Sequence, residues 1–206
     1  MTNSVSEVTS GIRSVLSVPF VYSLYQKIVF PRDKLIRDYI KPYAGQKVLD
    51  IGCGTGNIIE YLPEVEYLGI DASLEYVQKA RHRFAHRGTF QHVGVKDLSL
   101  PGKKDFDIAL AIGVLHHISD EEAFNLFCLA KSALKPGGRL IAVEPCYGEG
   151  QSFLARWIIS KDRGQNIKDK PGYENLVNPY FKKVNYHVRH DLLRIPYTLV
   201  VIECFV

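Results

Sequence analysis

Three glycines at alternate positions, in Asp50-Ile51-Gly52-Cys53-Gly54-Thr55-Gly56, stand where a short apolar run gives way to a helical stretch. Glycine reaches backbone conformations closed to other residues and lets a ligand approach the main chain without a Cβ in the way. The free N–H groups at the start of the following helix then suit an anionic or strongly polar ligand. Asp71, with Ala72 beside it, ends the next apolar run about twenty residues after the loop begins, where a carboxylate can accept hydrogen bonds from ribose hydroxyls. Two neighbouring histidines, His116 and His117, follow a later apolar run, and Glu144 closes the run after that. Histidine is the side chain best suited to take a proton near neutral pH. The alternatives are structural: the histidines can pack under the next helix, and Glu144 can serve as an acceptor for backbone N–H groups.

The elements around these residues alternate. Short apolar runs at 47–51, 66–70, 89–93, 106–112 and 139–143 read as strands. Helical periodicity follows the glycine loop over 57–62 and covers 73–85 and 121–134. Ser73 is placed to cap one helix, and Ser119 with Glu122 forms a capping box before another. Lys135-Pro136-Gly137-Gly138 stops that helix and turns into the fifth strand. Strands alternating with helices imply an α/β fold, a parallel sheet with helices on both faces. At the tail, 184–189 and 198–205 are strands with no helix between them, so the sheet should end in an antiparallel pair. Residues 1–42 read as an N-terminal helical cap of two helices with Pro31 in the first turn of the second. Residues 43–206 then form the main domain, with a polar insertion at 148–178.

The glycine spacing separates two cofactor classes. A dinucleotide loop, GxGxxG, needs its third glycine at position 57, which is Asn57. The DxGxGxG spacing instead resembles motif I of class I (Rossmann-like) S-adenosylmethionine-dependent methyltransferases. The segments around Phe106–Ile118 and Leu134–Leu140 are similar to that family's fourth strand with its following loop and to the turn before its fifth. The resemblance is firm over about 43–144 and looser for the C-terminal strands. It implies a seven-stranded, mostly parallel sheet of order 3-2-1-4-5-7-6 with strand 7 antiparallel. It implies S-adenosylmethionine as cofactor and S-adenosylhomocysteine as product. Asp50, Gly52, Cys53, Gly54 and Gly56 would then lie beside the methionine moiety, Asp71 and Ala72 by the ribose, and Ile112 and Gly113 at the end of strand four. An acid or amide at the tip of strand three faces adenine in the family. Here Val95 stands at that position, so Val95 and Lys96 would flank the ring, with Asp97 as the side-chain acceptor.

On the same resemblance His117, ahead of His116, aligns with a frequent histidine of small-molecule methyltransferases, and Glu144 is the further catalytic candidate. Tyr22, Tyr25 and Tyr147 would border the acceptor. Arg163 lies in the polar run Lys161-Asp162-Arg163-Gly164-Gln165-Asn166, which an exposed loop explains most simply and which would also suit recognition of an anionic or sugar-like acceptor. The reaction implied is methyl transfer to an oxygen, nitrogen or carbon of a small molecule. The rivals are a non-catalytic cofactor-binding partner subunit and an NAD(P)-dependent oxidoreductase.

Composition is that of an ordinary globular protein, with 46% hydrophobic and 23% charged residues. The net charge of +4 is spread along the chain, without the basic stripe that nucleic-acid binding wants. Cys53, Cys128, Cys146 and Cys204 lie far apart, so no metal site and no disulfide scaffold is expected. The most apolar N-terminal stretch, 15–25, is too short to span a bilayer. These features lead us to expect a cytoplasmic monomer or homodimer.

Overall fold

The computed structural model describes residues 31–94 and 104–206. Tyr22, Tyr25, Val95, Lys96, Asp97 and the first helix of the expected cap lie outside them. Eight strands are present among the described residues: β1 Lys47–Ile51, β2 Glu66–Asp71, β3 Thr89–His92, β4 Phe106–Ile112, β5 Leu134–Tyr147, β6 Lys168–Asp169, β7 Lys183–Arg189 and β8 Leu199–Phe205. They form a sheet in the order β3-β2-β1-β4-β5-β8-β7, with the two-residue β6 pairing beside the end of β5. The strands from β3 to β5 are parallel, and β8 runs antiparallel to both β5 and β7. This is the expected order, with β6 as one additional strand that shifts the numbering of the last two.

Side chains of a strand alternate between faces, and here the alternation divides two cores. Leu49 and Ile51 of β1, Ala109 and Ala111 of β4, and Val200 and Ile202 of β8 face one cluster. Helix α3 (Asp120–Ala133) and α5 (Lys170–Val177) cover it, contributing Leu126, Phe127, Tyr173 and Val177. Val48, Ile108, Leu110 and Val201 face the other. That cluster is closed by α2 (Leu74–Phe84), by Ile58 and Ile59 of the 3₁₀ segment Asn57–Tyr61, and by the first described helix. The first described helix, α1 (Asp33–Leu35), continues as a π-helical turn over Ile36–Ile40, and Leu35 and Ile40 are fully buried. A parallel sheet covered on both faces accounts for strands that read as continuous apolar runs.

The caps fall where the sequence placed them. The Ser73 hydroxyl accepts the Tyr76 N–H at 3.3 Å, and Ser119 and Glu122 make the reciprocal capping box. Three elements differ from expectation. The stretch after the glycine loop is a 3₁₀ segment instead of an α-helix, because Gly56 enters it in the left-handed conformation (φ 75°) and Pro63 follows closely. Strand β5 begins at Leu134, so Lys135-Pro136-Gly137-Gly138 is a bulge inside the strand and not a turn before it. The register slips between Phe106↔Leu134 and Ile108↔Arg139. The chain end holds the slipped residues: Gly137 N–H donates to Val206 O at 3.0 Å and Val206 N–H to Gly138 O at 3.1 Å. The insertion contains α4 (Phe153–Ile159), β6 and α5, and its middle folds back onto the histidine loop.

Candidate active site

The glycine loop leaves the C-terminal end of β1 at the centre of the sheet. All three glycines have positive φ: 74° at Gly52, 55° at Gly54 and 75° at Gly56. A Cβ on Gly52 would come within 2.5 Å of Val114 Cγ2, and one on Gly56 within 2.9 Å of Phe90. These two glycines are therefore packed against the fold. A Cβ on Gly54 would meet nothing within 4 Å, so the loop's open side lies there. Backbone hydrogen bonds hold the bend, with Gly52 and Cys53 N–H both donating to Ile70 O at 2.8 and 2.9 Å. Asp71 braces it from β2: Oδ2 accepts the Gly54 N–H and Oδ1 the Ser73 N–H, each at 2.8 Å. Ala72 lends its carbonyl to His92 Nε2 at 3.1 Å.

Asp50 is buried and accepts the Tyr67 hydroxyl at 2.5 Å. Burial raises its pKa to about 7, opposed by that hydrogen bond. Cys53 is a half-buried free thiol that burial keeps protonated. Ile112 closes β4, and Gly113 (φ 70°) turns the chain out of it while donating its N–H to Val143 O at 2.8 Å.

Beyond Gly113 the chain makes a 3₁₀ turn, Leu115–His117, around the carboxylate of Glu144. Glu144 is fully buried at the C-terminal part of β5. Its Oε1 accepts the N–H groups of Val114 and Leu115, both at 2.9 Å. Its Oε2 accepts the His116 N–H at 3.3 Å and His116 Nδ1 at 2.5 Å. His116 Nε2 lies 3.3 Å from Asp162 Oδ1 of the insertion, so this buried ring is bonded at both nitrogens. Burial alone would lower the His116 pKa; the charge of Glu144 and the bonds to Asp162 and Glu144 outweigh it and raise it to about 9. Asp162 is correspondingly held below the usual carboxylate range, its own burial overcome by the hydrogen bond and charge of His116.

His117 stands beside this pair, its ring centroid 4.0 Å from that of His116. Its Nδ1 is buried without a hydrogen-bond partner among the described residues. Burial, then the charge of His116, push its pKa down to about 3, so the ring is neutral across the physiological range. His116, His117 and Asp162 each bring a possible ligand atom within 4.8 Å of the others. Both His116 nitrogens face carboxylates, Glu144 at Nδ1 and Asp162 at Nε2, an arrangement that favours the charged ring.

The stability consequence has a definite sign. The folded pKa of His116 exceeds its unfolded value, so its contribution is complete below about pH 6.5 and is lost as pH rises through about 9. The melting temperature is therefore expected to fall between these values in scanning calorimetry. A flat curve over that range would contradict a charged His116.

Of the expected acceptor residues, Tyr147 lines an open cleft of about 560 Å³ together with Arg156, Ile167 and Lys168. Arg156 lies over the Tyr147 ring at 5.1 Å. Arg163 does not line that cleft; it is buried near His117, whose pKa its charge helps to lower. The polar run around Asp162 reads in sequence as an exposed loop or as an acceptor-recognising one, and the structure turns Asp162 and Asn166 inward onto the histidine loop. The density of polar residues was a signal, but its target is 46 residues away in the chain and has no local signature.

A glycine loop at the end of the central strand, braced by an acid from the next, on a sheet of this order defines a Rossmann-like nucleotide-binding domain. The family model described as "Methyltransferase domain" matches residues 48–138. The chain is 31% identical over 153 residues to phosphoethanolamine N-methyltransferase 1 of Triticum aestivum, covering 72% of this chain and 30% of that protein. It is 30% identical over 167 residues to the O-methyltransferase cnsE of Penicillium expansum, covering 69% of this chain and 58% of the relative. It thus spans less than two thirds of the length of these curated relatives. Among solved structures, the PH0226 protein from Pyrococcus horikoshii superposes with a TM-score of 0.67 at 21% identity, covering 95% of this chain and all 100% of that one. An S-adenosylmethionine dependent methyltransferase from Mesorhizobium loti gives 0.61 at 18% identity, covering 84% and 97%. At such identities these likenesses establish the fold. Residues 48–138 thus match a methyltransferase domain, on a fold shared with an S-adenosylmethionine dependent methyltransferase of known structure.

Proposed function

We propose that the chain transfers a methyl group from S-adenosylmethionine to an oxygen, nitrogen or carbon of a small-molecule acceptor. The observation that carries this reading is the glycine loop, open at Gly54 and braced by Asp71. The residues present fit the cofactor: Gly54 leaves open main chain for the amino-acid end, Gly52 and Gly56 hold the bend that presents it, and Asp71 stands at the tip of β2 where the ribose would lie. When bound, the cofactor supplies a sulfonium methyl that an aligned nucleophile takes in line, and the product is S-adenosylhomocysteine. Alignment carries most of such a reaction, on the order of 7–11 kcal/mol in favourable systems.

His117 is the residue we assign to the acceptor. The residue is half-buried and its ring is neutral, so it can accept a hydrogen bond from an acceptor O–H or N–H on its exposed side. His116 and Glu144 hold the turn that presents it. Tyr147 and the cleft beside it suit the body of the acceptor. The chain works as a monomer or homodimer of the cytoplasm on this reading, without a nucleic-acid partner. No helix among the described residues is long and apolar enough to cross a membrane.

His117→Ala is expected to lower kcat by roughly 10²–10⁴ while cofactor affinity changes by less than about twofold. S-adenosylhomocysteine release with an acceptor panel, set beside titration calorimetry, reads both. Equal losses in rate and cofactor affinity would assign the histidine to packing. No release with any acceptor would favour a non-catalytic cofactor-binding subunit.

A further inference from the structure

We infer that Asp162, carried by the segment between α4 and β6, is a positioning residue that clamps His116 against Glu144 and so fixes the turn that presents His117. Its consequence for catalysis rests on the methyl-transfer reading; its geometry does not.

Three contacts from three parts of the chain set the Asp162 carboxylate. Oδ1 lies 3.3 Å from His116 Nε2 and accepts the Gly164 N–H at 2.9 Å. Oδ2 accepts the Tyr197 hydroxyl, ahead of β8, at 2.8 Å. Gly164 then lies directly on the histidine, where an added Cβ would fall 2.0 Å from His116 Cδ2 and 2.7 Å from His116 O. Only a residue without a side chain fits there. Asn166 completes the grip: its N–H donates to His116 O at 3.0 Å and its Nδ2 to Ile118 O at 2.8 Å. The insertion thus satisfies the outer side of the turn, as Glu144 satisfies the inner side.

The charges point the same way. Glu144 from β5 and Asp162 from the insertion face His116, and its two ring nitrogens divide between them. A ring that donates at both nitrogens is an imidazolium. His116, Asp162 and Arg163 are the charged groups that bear on His117. Of these the imidazolium weighs most, and it favours the neutral form of His117. Removing the Asp162 charge takes away one of the two counterions that keep His116 protonated.

The test is an NMR titration of the full chain with ¹⁵N-labelled histidine, from pH 5 to 10, without cofactor or acceptor. In the wild type His116 is expected to remain an imidazolium above pH 8. Asp162→Asn, which keeps shape and loses charge, should move its midpoint down by at least about one pH unit, and Asp162→Glu should recover at least half of that shift. Once an acceptor is known, the alkaline limb of the kcat profile should move down with Asp162→Asn, while the KM for the cofactor stays within about twofold. A wild-type His116 that titrates near the ordinary histidine value overturns the inference, and needs no variant to fold. So does a midpoint that is the same in Asp162→Asn. A correct titration in a protein that forms no S-adenosylhomocysteine would instead count against the methyl-transfer reading alone.

Discussion

Gly54→Asp is expected to lower affinity for S-adenosylmethionine by at least about 100-fold while leaving the fold intact. The position has φ 55°, and an added Cβ meets nothing within 4 Å, so the new side chain has room. Aspartate is among the residues that best tolerate the left-handed region. The same room is where the loop faces its ligand, and the substitution fills it with a second carboxylate close to Asp71, which already holds the Gly54 N–H. A carboxylate placed against the methionine end of the cofactor repels its carboxylate and blocks close approach. Titration calorimetry reads the affinity, and a melting temperature within a few degrees of wild type shows that the loss is local. Gly52→Ala is a useful contrast, because its Cβ would strike Val114 Cγ2 at 2.5 Å and should damage fold and binding together. Unchanged affinity in Gly54→Asp would move the cofactor away from this loop.

Glu144→Ala should be the most destabilising single change in the site. It removes a buried carboxylate that accepts three backbone N–H groups and the His116 ring. Those donors lie in a turn that is largely buried, and the imidazolium is left with Asp162 alone. Breaking a buried charge pair by removing one partner costs about 3–5 kcal/mol. In a chain of this size that is a fall in melting temperature of roughly 6–20 degrees. Glu144→Gln preserves shape and some acceptor capacity and should cost about half as much. An alanine variant within two degrees of wild type would show that the turn stands without Glu144. A catalytic acid exposed to the acceptor would instead lose rate with little loss of stability, so the same pair of variants also separates the two roles weighed for this residue.

The strands and the two-sided core were legible because they follow from local periodicity, while the strand order was implied by the resemblance to class I methyltransferases. Runs such as Val48–Ile51 and Ile108–Ala111 alternate between the two clusters residue by residue, and a parallel arrangement covered on both faces is what such runs require. The caps at Ser73 and Ser119 were legible for the same reason, since each partner lies three residues away. Lys135-Pro136-Gly137-Gly138 was misplaced because a turn and a strand bulge share one composition. Only the pairing of Gly137 and Gly138 with Val206, at the far end of the chain, decides between them. The site divides along the same line. Gly52, Gly54, Gly56 and Asp71 stand out because conformational need and strand position mark them in sequence. Glu144 and His116 were visible as chemistry-bearing residues, but nothing local shows that one binds the other across 28 residues. Asp162, Gly164 and Asn166 were hidden more deeply. Their polarity reads as a solvent-facing loop until the fold brings them against the histidine turn.

Equilibrium dialysis of the unmodified chain against radiolabelled S-adenosylmethionine, with NADH fluorescence followed in parallel, tests the central claim most directly. The account predicts saturable uptake at one site per chain, displaced by S-adenosylhomocysteine, and no change in nicotinamide emission. A chain that retains no label, or that binds NADH in its place, would contradict it.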